Sequence, residues 1–203
     1  MHTMNKEQIV LHKNQTLTST TSTNTLFDIA FIFLIQNEGA KGHTIADGDV
    51  TYGISRKKCT FTNFDTLTLQ EAKQFYHTQY WLNVYDRIKY QDIAIKIFDA
   101  AVNIGHNAAH IALQRALRSV NNLVQEDGRL GLITLNAVNS VCDKQLMAAF
   151  KSELAAYYRL CTQHKPTYQC FLKGWLNRAY KKVPQDLINR YCLPKRGLEP
   201  PTC

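Results

Sequence analysis

One stretch, Leu26 to Glu38 with the sequence LFDIAFIFLIQNE, constrains the fold of this chain more than any other. Apolar residues recur along it at intervals of three and four, as they do on one face of a helix: Leu26, Ile29, Ala30, Phe33 and Leu34. Phenylalanine and isoleucine also fill the remaining faces. A helix that is apolar nearly all round belongs inside a core. The stretch therefore predicts a buried helix that ends at Glu38, immediately before Gly39.

Glu38 lies one turn beyond Leu34, on the same side as the apolar stripe, at the C-terminal end of this predicted helix. Burial disfavours the charged form of a carboxyl, and the negative end of the helix dipole disfavours it as well. We therefore expect the pKa of Glu38 to be raised. A carboxyl that stays protonated near neutral pH can act as a general acid. The competing interpretation is a solvated glutamate at a helix end.

Composition indicates a folded chain with a polyanionic partner. Its 203 residues are 45% hydrophobic, and the net charge is +8. Nucleic acid, an anionic membrane surface and the bacterial cell wall would each attract such a charge. No stretch reaches the ~20 apolar residues that a membrane span needs, so we expect no stable membrane insertion. The N-terminal residues lack the pattern of a signal peptide, so we expect synthesis in the cytoplasm without one.

The chain divides into three segments that differ in amino-acid composition. Residues 1–25 are polar and Ser/Thr-rich, which predicts a flexible N-terminal tail or a docking segment. Residues 26–183 are predicted to form one domain, with a catalytic part over about 26–120 and a helical C-terminal part over about 121–183. Residues 184–203 are predicted to form a short helix and a tail that contains proline and cysteine.

Glycine and β-branched residues between positions 39 and 62 predict a small antiparallel hairpin, and the rest of the chain is predicted to be helical. Thr68 and Glu71 form a capping box that opens a helix ending near Tyr80. Thr134 is predicted to cap a short helix. Further helices are predicted over 92–103, 107–120, 134–141, 145–160 and 168–182. The predicted fold class is mostly α (α+β), a helical domain with a small β-hairpin lobe after the first core helix.

Two further residues of this lobe are candidates for the site. Asp47 follows Glu38 by nine residues, and Thr51 follows Asp47 by four. A hairpin that folds back over the helix end would bring both side chains near Glu38. Two carboxyls and a hydroxyl around one cleft suit glycoside hydrolysis. Asp49 is the other candidate for the second carboxylate, and Asp47 also fits an ordinary turn before Gly48.

The run QNEGAKGHTIADGDVTYGIS, from Gln36 to Ser55, resembles the signature of glycoside hydrolase family 108, the phage-endolysin type of N-acetylmuramidase. That signature begins Glu-Gly-Gly-Tyr and continues through an Asp/Gly turn to Thr and Tyr-Gly-Ile. The ordered likeness continues to about residue 183 through Tyr80-Trp81, FDAAVNIG from Phe98 to Gly105, LQRAL from Leu113 to Leu117, DGRLG from Asp127 to Gly131, Thr134, and GWLNR from Gly174 to Arg178.

The resemblance implies a lysozyme-like fold and hydrolysis of the β-1,4 bond between N-acetylmuramic acid and N-acetylglucosamine, with no metal or cofactor. Glu38 matches the catalytic acid of the family. By a similar likeness to phage-type lysozymes, Asp47 would position water or stabilise an oxocarbenium-like transition state, and Thr51 would bind that water. Inversion or retention depends on the separation of the two carboxyls, about 6.5 to 9.5 Å against about 5 Å.

The sequence departs from the family signature at Ala40 and Lys41, which replace a glycine and a tyrosine. A cell-wall-binding protein of the same fold without turnover is therefore the alternative function. A basic nucleic-acid-binding protein is a further alternative on charge alone. Against it, the aromatic residues lie at helical core spacing and do not alternate with Lys and Arg along one face.

Asp99 and Asn103 lie four residues apart on one predicted helix face, and Tyr52 offers a ring for contact with a sugar. We predict that these three residues bind substrate. The alternative for the two polar residues is that they brace neighbouring backbone.

Other combinations of reactive residues support different chemistry. His106 and His110 have the i, i+4 spacing of metal ligands, but HNAAH lacks the glutamate of HExxH, and ordinary surface histidines explain the pair better. Cys59 with His77 or His106 would instead make a wall peptidase, although no predicted helix begins at this cysteine to activate its thiolate. The six cysteines fit either disulfides or reduced thiols packed as small apolar groups.

The resemblance implies peptidoglycan glycan strands as the partner, and a site of action at the cell wall in the periplasm of a host or target cell. A chain made in the cytoplasm would reach that wall through a phage holin, an exporting partner protein or a contact-dependent secretion system. Secretion of the last kind predicts a cognate immunity protein that binds the chain.

Overall fold

The computed structural model describes residues 25–38, 50–59 and 64–190. The α-helices in these ranges are α1 (Leu26–Glu38), α2 (Leu69–Tyr80), α3 (Gln91–Ile104), α4 (His106–Ser119), α5 (Leu132–Ser140), α6 (Asp143–His164), α7 (Leu172–Tyr180) and α8 (Gln185–Arg190). The strands are β1 (Val50–Thr51) and β2 (Ile54–Ser55). None of the helices described is long and apolar enough to cross a membrane.

Helix α1 lies in the core, as its apolar sequence predicts. Ile29, Ala30, Phe33 and Leu34 are fully buried. The helix packs chiefly against α3 and also touches α2. Near its start, Phe27 contacts Trp81 and Phe98 edge to face, with ring centroids 5.3 and 5.8 Å apart. Buried residues from α1 to α8 form one hydrophobic cluster, so the described helices share a single core.

The hairpin is confirmed as a two-stranded antiparallel sheet in which Val50 pairs with Ser55, and Thr51 with Ile54. Its two turn residues, Tyr52 and Gly53, have φ angles of +51° and +78°. Positive φ at both positions is the geometry of a type I′ turn, whose twist matches that of the flanking strands. The remainder of the predicted lobe, residues 39–49 and 60–62, lies outside the described residues.

Most helix boundaries follow their sequence signals. The oxygen Oγ1 of Thr68 accepts a hydrogen bond from the amide of Glu71 at 3.2 Å, and the amide of Thr68 donates to Oε2 of Glu71 at 2.8 Å. These two bonds form the predicted capping box at the start of α2. Helix α3 ends before Gly105, whose φ of +83° breaks the helical conformation.

Two helix predictions are corrected. Thr134 is not an N-cap, because α5 begins at Leu132 after Gly131. The Thr134 hydroxyl is buried and donates to the carbonyl of Arg129 at 3.3 Å. The helix predicted over 168–182 is also shorter than predicted, because a 3-10 helix spans Pro166–Phe171 and α7 begins only after it.

The loop before α5 is held by a buried amide. Gln114 on α4 donates from Nε2 to Oδ1 of Asp127 at 2.7 Å and to the carbonyl of Arg129 at 3.1 Å. Its Oε1 accepts from the amide of Gly128 at 2.9 Å. The carbonyl of Gly128 in turn accepts a hydrogen bond from Nδ1 of the buried His110 at 3.0 Å. This one loop therefore satisfies two polar side chains inside the core.

The cysteines of the described part are in two states. Cys142, at the start of α6, is buried and forms a disulfide whose partner lies outside the described residues. Cys161 and Cys170 are reduced, the first half-buried and the second exposed. Both interpretations that the sequence left open therefore apply, each to different cysteines.

We predict that Gly128→Ala destabilises the protein by about 2 kcal/mol, because Gly128 has a φ of +71° and an added Cβ would collide with Oδ1 of Asn107. For a chain of this size, the melting temperature should fall by roughly 4 to 8 °C. Gly174→Ala is the control, because its Cβ meets nothing within 4 Å. Equal melting temperatures for the two variants would contradict this account of the loop.

Candidate functional site

The structure places the backbone of Glu38 at the last position of α1, as the sequence predicts. Its side chain lies outside the described residues, and so do positions 39–49 with Asp47, Asp49, Ala40 and Lys41. The roles of Glu38 and Asp47 therefore stay predictions. The structure does describe the supports that hold this end of α1.

A buried ion pair holds the last turn of α1 through Asn37. The carboxylate of Asp99, on α3, is 2% exposed and accepts from Nη2 of Arg178 at 2.9 Å and from Nε of Arg178 at 3.3 Å. The same oxygen Oδ1 accepts from Nδ2 of Asn37 at 2.9 Å. Two parallel bonds from a guanidinium to a carboxylate fix both groups in one plane. Asn37, the residue before Glu38, is thereby tied to α3 and α7.

Lys96 adds a second cation to this network. Its side chain is buried, with Nζ 3.7 Å from Oδ2 of Asp99, and it donates to the backbone carbonyl of Arg178. Burial lowers the pKa of Lys96 to about 8, although the attraction of Asp99 opposes this effect. Desolvation is therefore the dominant influence on the ammonium.

Cations from other helices gather around the C-terminal half of α1, which has no basic residue in its own last turn. Lys181, just after α7, donates from Nζ to the carbonyl of Gln36 at 3.4 Å. The ammonium groups of Lys181 and Lys96 each lie 5.7 Å from the ring centre of Phe33. Positive charge at this end of a helix compensates the negative end of its dipole.

The two predicted substrate-binding residues of α3 lie in different surroundings. The buried Asp99 has both carboxylate oxygens engaged by Arg178, and Asn37 adds a further bond, which fits the alternative that Asp99 braces its neighbours. Asn103, one turn later, is exposed, and its Oδ1 accepts from the hydroxyl of Tyr158 at 2.6 Å. Binding of substrate by either residue stays a prediction, and Asn103 is the more accessible of the two.

The two predicted site residues of the hairpin, Thr51 and Tyr52, lie on β1 and in the turn that follows it. Thr51 is half-buried on β1 and pairs with Ile54. The backbone carbonyl of Tyr52 accepts a hydrogen bond from the hydroxyl of Tyr76 on α2 at 3.0 Å, which anchors the strained turn to the helical body. Tyr52 is half-buried and packs against the core. Its predicted contact with a sugar stays a prediction.

A pocket of about 450 Å³ opens at the C-terminal end of α3, and Asn103 forms part of its wall. Asn103 lies about 6 Å along the helix axis from Asp99, so the pocket is close to the supports of α1. Five aromatic residues line it: Tyr80, Tyr157, Tyr158, Tyr168 and Trp175. Helical spacing assigns most of these rings to the core, so the sequence argument missed this group. Only the position of Trp175 within the GWLNR motif pointed to it.

Both histidines of the pair, His106 and His110, form hydrogen bonds with neighbouring residues. His110 is buried, not at the surface as predicted, with Nε2 3.0 Å from the hydroxyl of Tyr85. Nε2 of His106 lies 3.0 Å from the carbonyl of Tyr80. Within the described ranges, no group of three or more His, Cys, Asp or Glu residues is placed to hold a metal ion. Cys59 is half-buried and packs against the core.

Two protein families match the chain in consecutive segments. Residues 31–105 match Glycosyl hydrolase 108, and residues 108–180 match the family described as Predicted Peptidoglycan domain. Among solved structures, that of Brucella abortus SagA matches with a TM-score of 0.60 and 22% sequence identity. The match covers 84% of this chain and 96% of that chain, and it shows a shared fold. No curated protein matches the chain.

We predict that Arg178→Gln destabilises the fold by about 3 kcal/mol, because it leaves the buried carboxylate of Asp99 without its main counter-charge. Adding Asp99→Asn should recover at least ~1 kcal/mol of that loss, since the two residues are coupled. Urea denaturation of both single variants and the double variant measures this coupling. Arg159→Gln, on the exposed side of α6, is the control. Strictly additive losses would contradict the pairing.

We also predict that the free energy of unfolding responds to pH through Lys96. Its pKa falls from 10.5 in the unfolded chain to about 8 in the folded protein, so between these values the unfolded chain binds more protons. The contribution of Lys96 to stability therefore rises with pH, by about 2 to 3 kcal/mol between pH 7 and pH 10.

Urea denaturation gives the free energy of unfolding of the wild type and of Lys96→Met at each pH, and the change in their difference with pH measures this rise. The titration of the tyrosines, which both proteins share, cancels in that difference. Lys173→Met, which removes an exposed lysine of α7, should leave the pH dependence of the wild type intact. A constant difference between the wild type and Lys96→Met across this range would contradict the lowered pKa.

Proposed function

We propose that this chain, which matches the glycosyl hydrolase 108 family over residues 31–105, is an N-acetylmuramidase. The two family matches make it a glycoside hydrolase related to peptidoglycan. The finer proposal is that it cleaves the β-1,4 bond between N-acetylmuramic acid and N-acetylglucosamine. The observation that carries this proposal is the position of Glu38 at the end of a buried helix. The residue before it, Asn37, is hydrogen-bonded to the ion pair of Asp99 and Arg178.

In the proposed reaction, Glu38 gives its proton to the glycosidic oxygen as the bond from that oxygen to the anomeric carbon of N-acetylmuramic acid breaks. The oxygen of water then bonds to the anomeric carbon, and a carboxylate takes the released proton. Proton donation by a positioned side chain contributes about 10²- to 10⁴-fold to the rate. The scheme needs the carboxyl of Glu38 held in one place. The hydrogen bond from Asn37 to Asp99 supports this, because it holds the residue before Glu38.

Asp47 is our proposal for the second carboxylate, with Asp49 as the alternative. In an inverting course this residue would accept the proton of the attacking water, and in a retaining course it would bond to the sugar before water releases it. Thr51 would hold the water by a hydrogen bond. Thr51 lies on β1 and pairs with Ile54 directly beside the turn, which supports a fixed position for the backbone that carries this hydroxyl.

A wall-binding protein without turnover is the second function that we consider, because Ala40 and Lys41 depart from the family signature. The match of residues 108–180 to a peptidoglycan domain would serve either function. Glu38 and Gly39 keep the residues of the signature, and this favours the enzyme. The two functions differ in one observable, which is whether purified peptidoglycan is cleaved.

We further propose that the chain acts at the cell wall as an endolysin or as a secreted antibacterial effector. Its net charge of +8 supports attraction to the anionic wall. Delivery would use a holin, an exporting partner or a contact-dependent secretion system, and the last route implies a cognate immunity protein. Co-expression with the adjacent gene should then suppress wall cleavage, and the lack of any such inhibitor would contradict the effector route.

We predict that Glu38→Gln lowers the rate of peptidoglycan hydrolysis by about 10²- to 10⁴-fold with the fold intact, because an amide cannot give up the proton that the leaving oxygen needs. Turbidity of a wall suspension and cleared bands in a zymogram measure the loss. Mass analysis of the reduced digest identifies the bond, since a muramidase leaves reduced N-acetylmuramic acid at the new end.

Glu153→Gln, which removes a half-buried carboxyl from α6, is the matched control and should keep the activity of the wild type. Wall hydrolysis by Glu38→Gln at the parental rate would show that another residue is the acid. A wild type that binds walls and leaves no cleared band would instead establish the binding protein. Products with reduced N-acetylglucosamine, or free peptides, would reject the muramidase.

A further inference from the structure

We infer that the aromatic pocket at the C-terminal end of α3 is a binding site for an N-acetylated amino sugar that carries an acidic substituent. The inference deepens the proposed function and rests on it, because it assigns a part of the peptidoglycan chain to a place on the protein. The site is built from both matched segments, with Asn103 in the first and Trp175 in the second. Its volume of about 450 Å³ lies within the range of small-molecule sites.

The rings of the pocket form a rigid wall. Trp175 stacks on Tyr158 and on Phe171, with ring centroids 5.4 and 5.8 Å apart and planes inclined by 28° in both cases. Tyr168 meets Trp175 edge to face at 5.6 Å. Rings that are fixed by their neighbours give up little conformational freedom on binding. The C–H faces of a pyranose pack against such surfaces, and tyrosine and tryptophan add polar groups at the ring edge.

Polar groups at the pocket suit the substituents of an amino sugar. The side-chain oxygen of Asn103 is occupied by the hydroxyl of Tyr158, which fixes the amide in one orientation. The NH₂ group of this exposed residue can then donate to an acetamido carbonyl. The thiol of Cys161 also lines the pocket, whereas aliphatic side chains come only from Val102 and Ile104 among the described residues that line it. A lining of this kind favours a sugar over an apolar helix of a protein partner.

The charge of the pocket suits an acid. Lys58, at the end of the 3-10 helix that follows the hairpin, lines it and is exposed. Lys165 lies beside it, with Nζ 3.1 Å from the hydroxyl of Tyr168 and 4.5 Å from the centre of that ring. No aspartate or glutamate belongs to the part of the lining that the structure describes. A muramic acid, whose lactyl group or attached peptide ends in carboxylates, therefore fits better than a neutral sugar.

Tryptophan fluorescence of the full chain with Glu38→Gln, which prevents turnover, tests the inference. The chain has two tryptophans, and Trp81 is 8% exposed with its indole bonded to Asp86 at 3.0 Å. A change on titration therefore reports Trp175, and Trp175→Phe should abolish it. The ligands are chitotetraose, which is neutral, and a purified disaccharide-tripeptide muropeptide. We expect saturable binding of both and at least fivefold tighter binding of the muropeptide.

Variants of the pocket distinguish the contribution of its aromatic rings to binding from the contribution of its positive charge. Tyr168→Ala should weaken the binding of both ligands about tenfold. Tyr180 is an exposed tyrosine of α7 outside the pocket, and Tyr180→Ala should change neither affinity. Lys58→Ala should remove most of the preference for the muropeptide, and its neighbour Lys57, which does not line the pocket, is the matched control. Asn103→Asp keeps the shape of the site, and its negative charge should weaken the binding of the muropeptide more than that of the neutral chitotetraose.

The outcomes distinguish this inference from the proposed function. Wall cleavage by the wild type with no fluorescence change, or with equal affinities in Tyr168→Ala and the parent, would overturn the sugar site and leave the muramidase standing. Sugar binding by a wild type that cleaves no wall would overturn the enzyme and leave the site standing. Competition of the signal by a short oligonucleotide, and not by muropeptide, would show that the pocket serves nucleic acid, and would overturn the inference.

Discussion

The ion pair between Asp99 and Arg178 is the constraint on which the arrangement of the site depends. A carboxylate that is 2% exposed is stable only if its charge is matched, and the guanidinium that matches it comes from a helix 79 residues later in the chain. The pair joins the segment of residues 31–105 to that of residues 108–180. The first segment without the second would leave the buried charge of Asp99 without Arg178, so the two segments form one structural unit.

The same network explains how the C-terminal end of α1 is stabilised although the helix has no cation of its own. The C-terminal carbonyls of α1 carry partial negative charge, and Lys181 and Lys96 supply the compensating charge from other helices. The sequence argument for a raised pKa of Glu38 used the dipole and burial alone. These cations offset the dipole part of that argument, because they lie where its negative end acts.

Local signals in the sequence predicted the elements, and long-range contacts determined the site. Periodicity placed α1, and the capping box at Thr68 placed the start of α2, because both effects act within a few residues. The partner of Asp99 could not be predicted in this way, since nothing local marks Arg178 as its counter-ion. Thr134 shows the opposite error, because a residue type that often caps helices serves here inside the core, where the loop carbonyls need a donor.

Helix α3 connects the two parts of the site. Asp99 and Asn103 lie one turn apart on it, so one helix presents a carboxylate to the brace of α1 and an amide to the aromatic pocket. The distance between two residues of a regular helix is nearly fixed, because the backbone hydrogen bonds fix the spacing of successive turns. A sugar held at Asn103 would therefore sit at a set distance from the end of α1. The proposed chemistry at Glu38 would require such a fixed relation between the bound chain and the acid. Helix α3 and the ion pair of Asp99 with Arg178 are the features that support it.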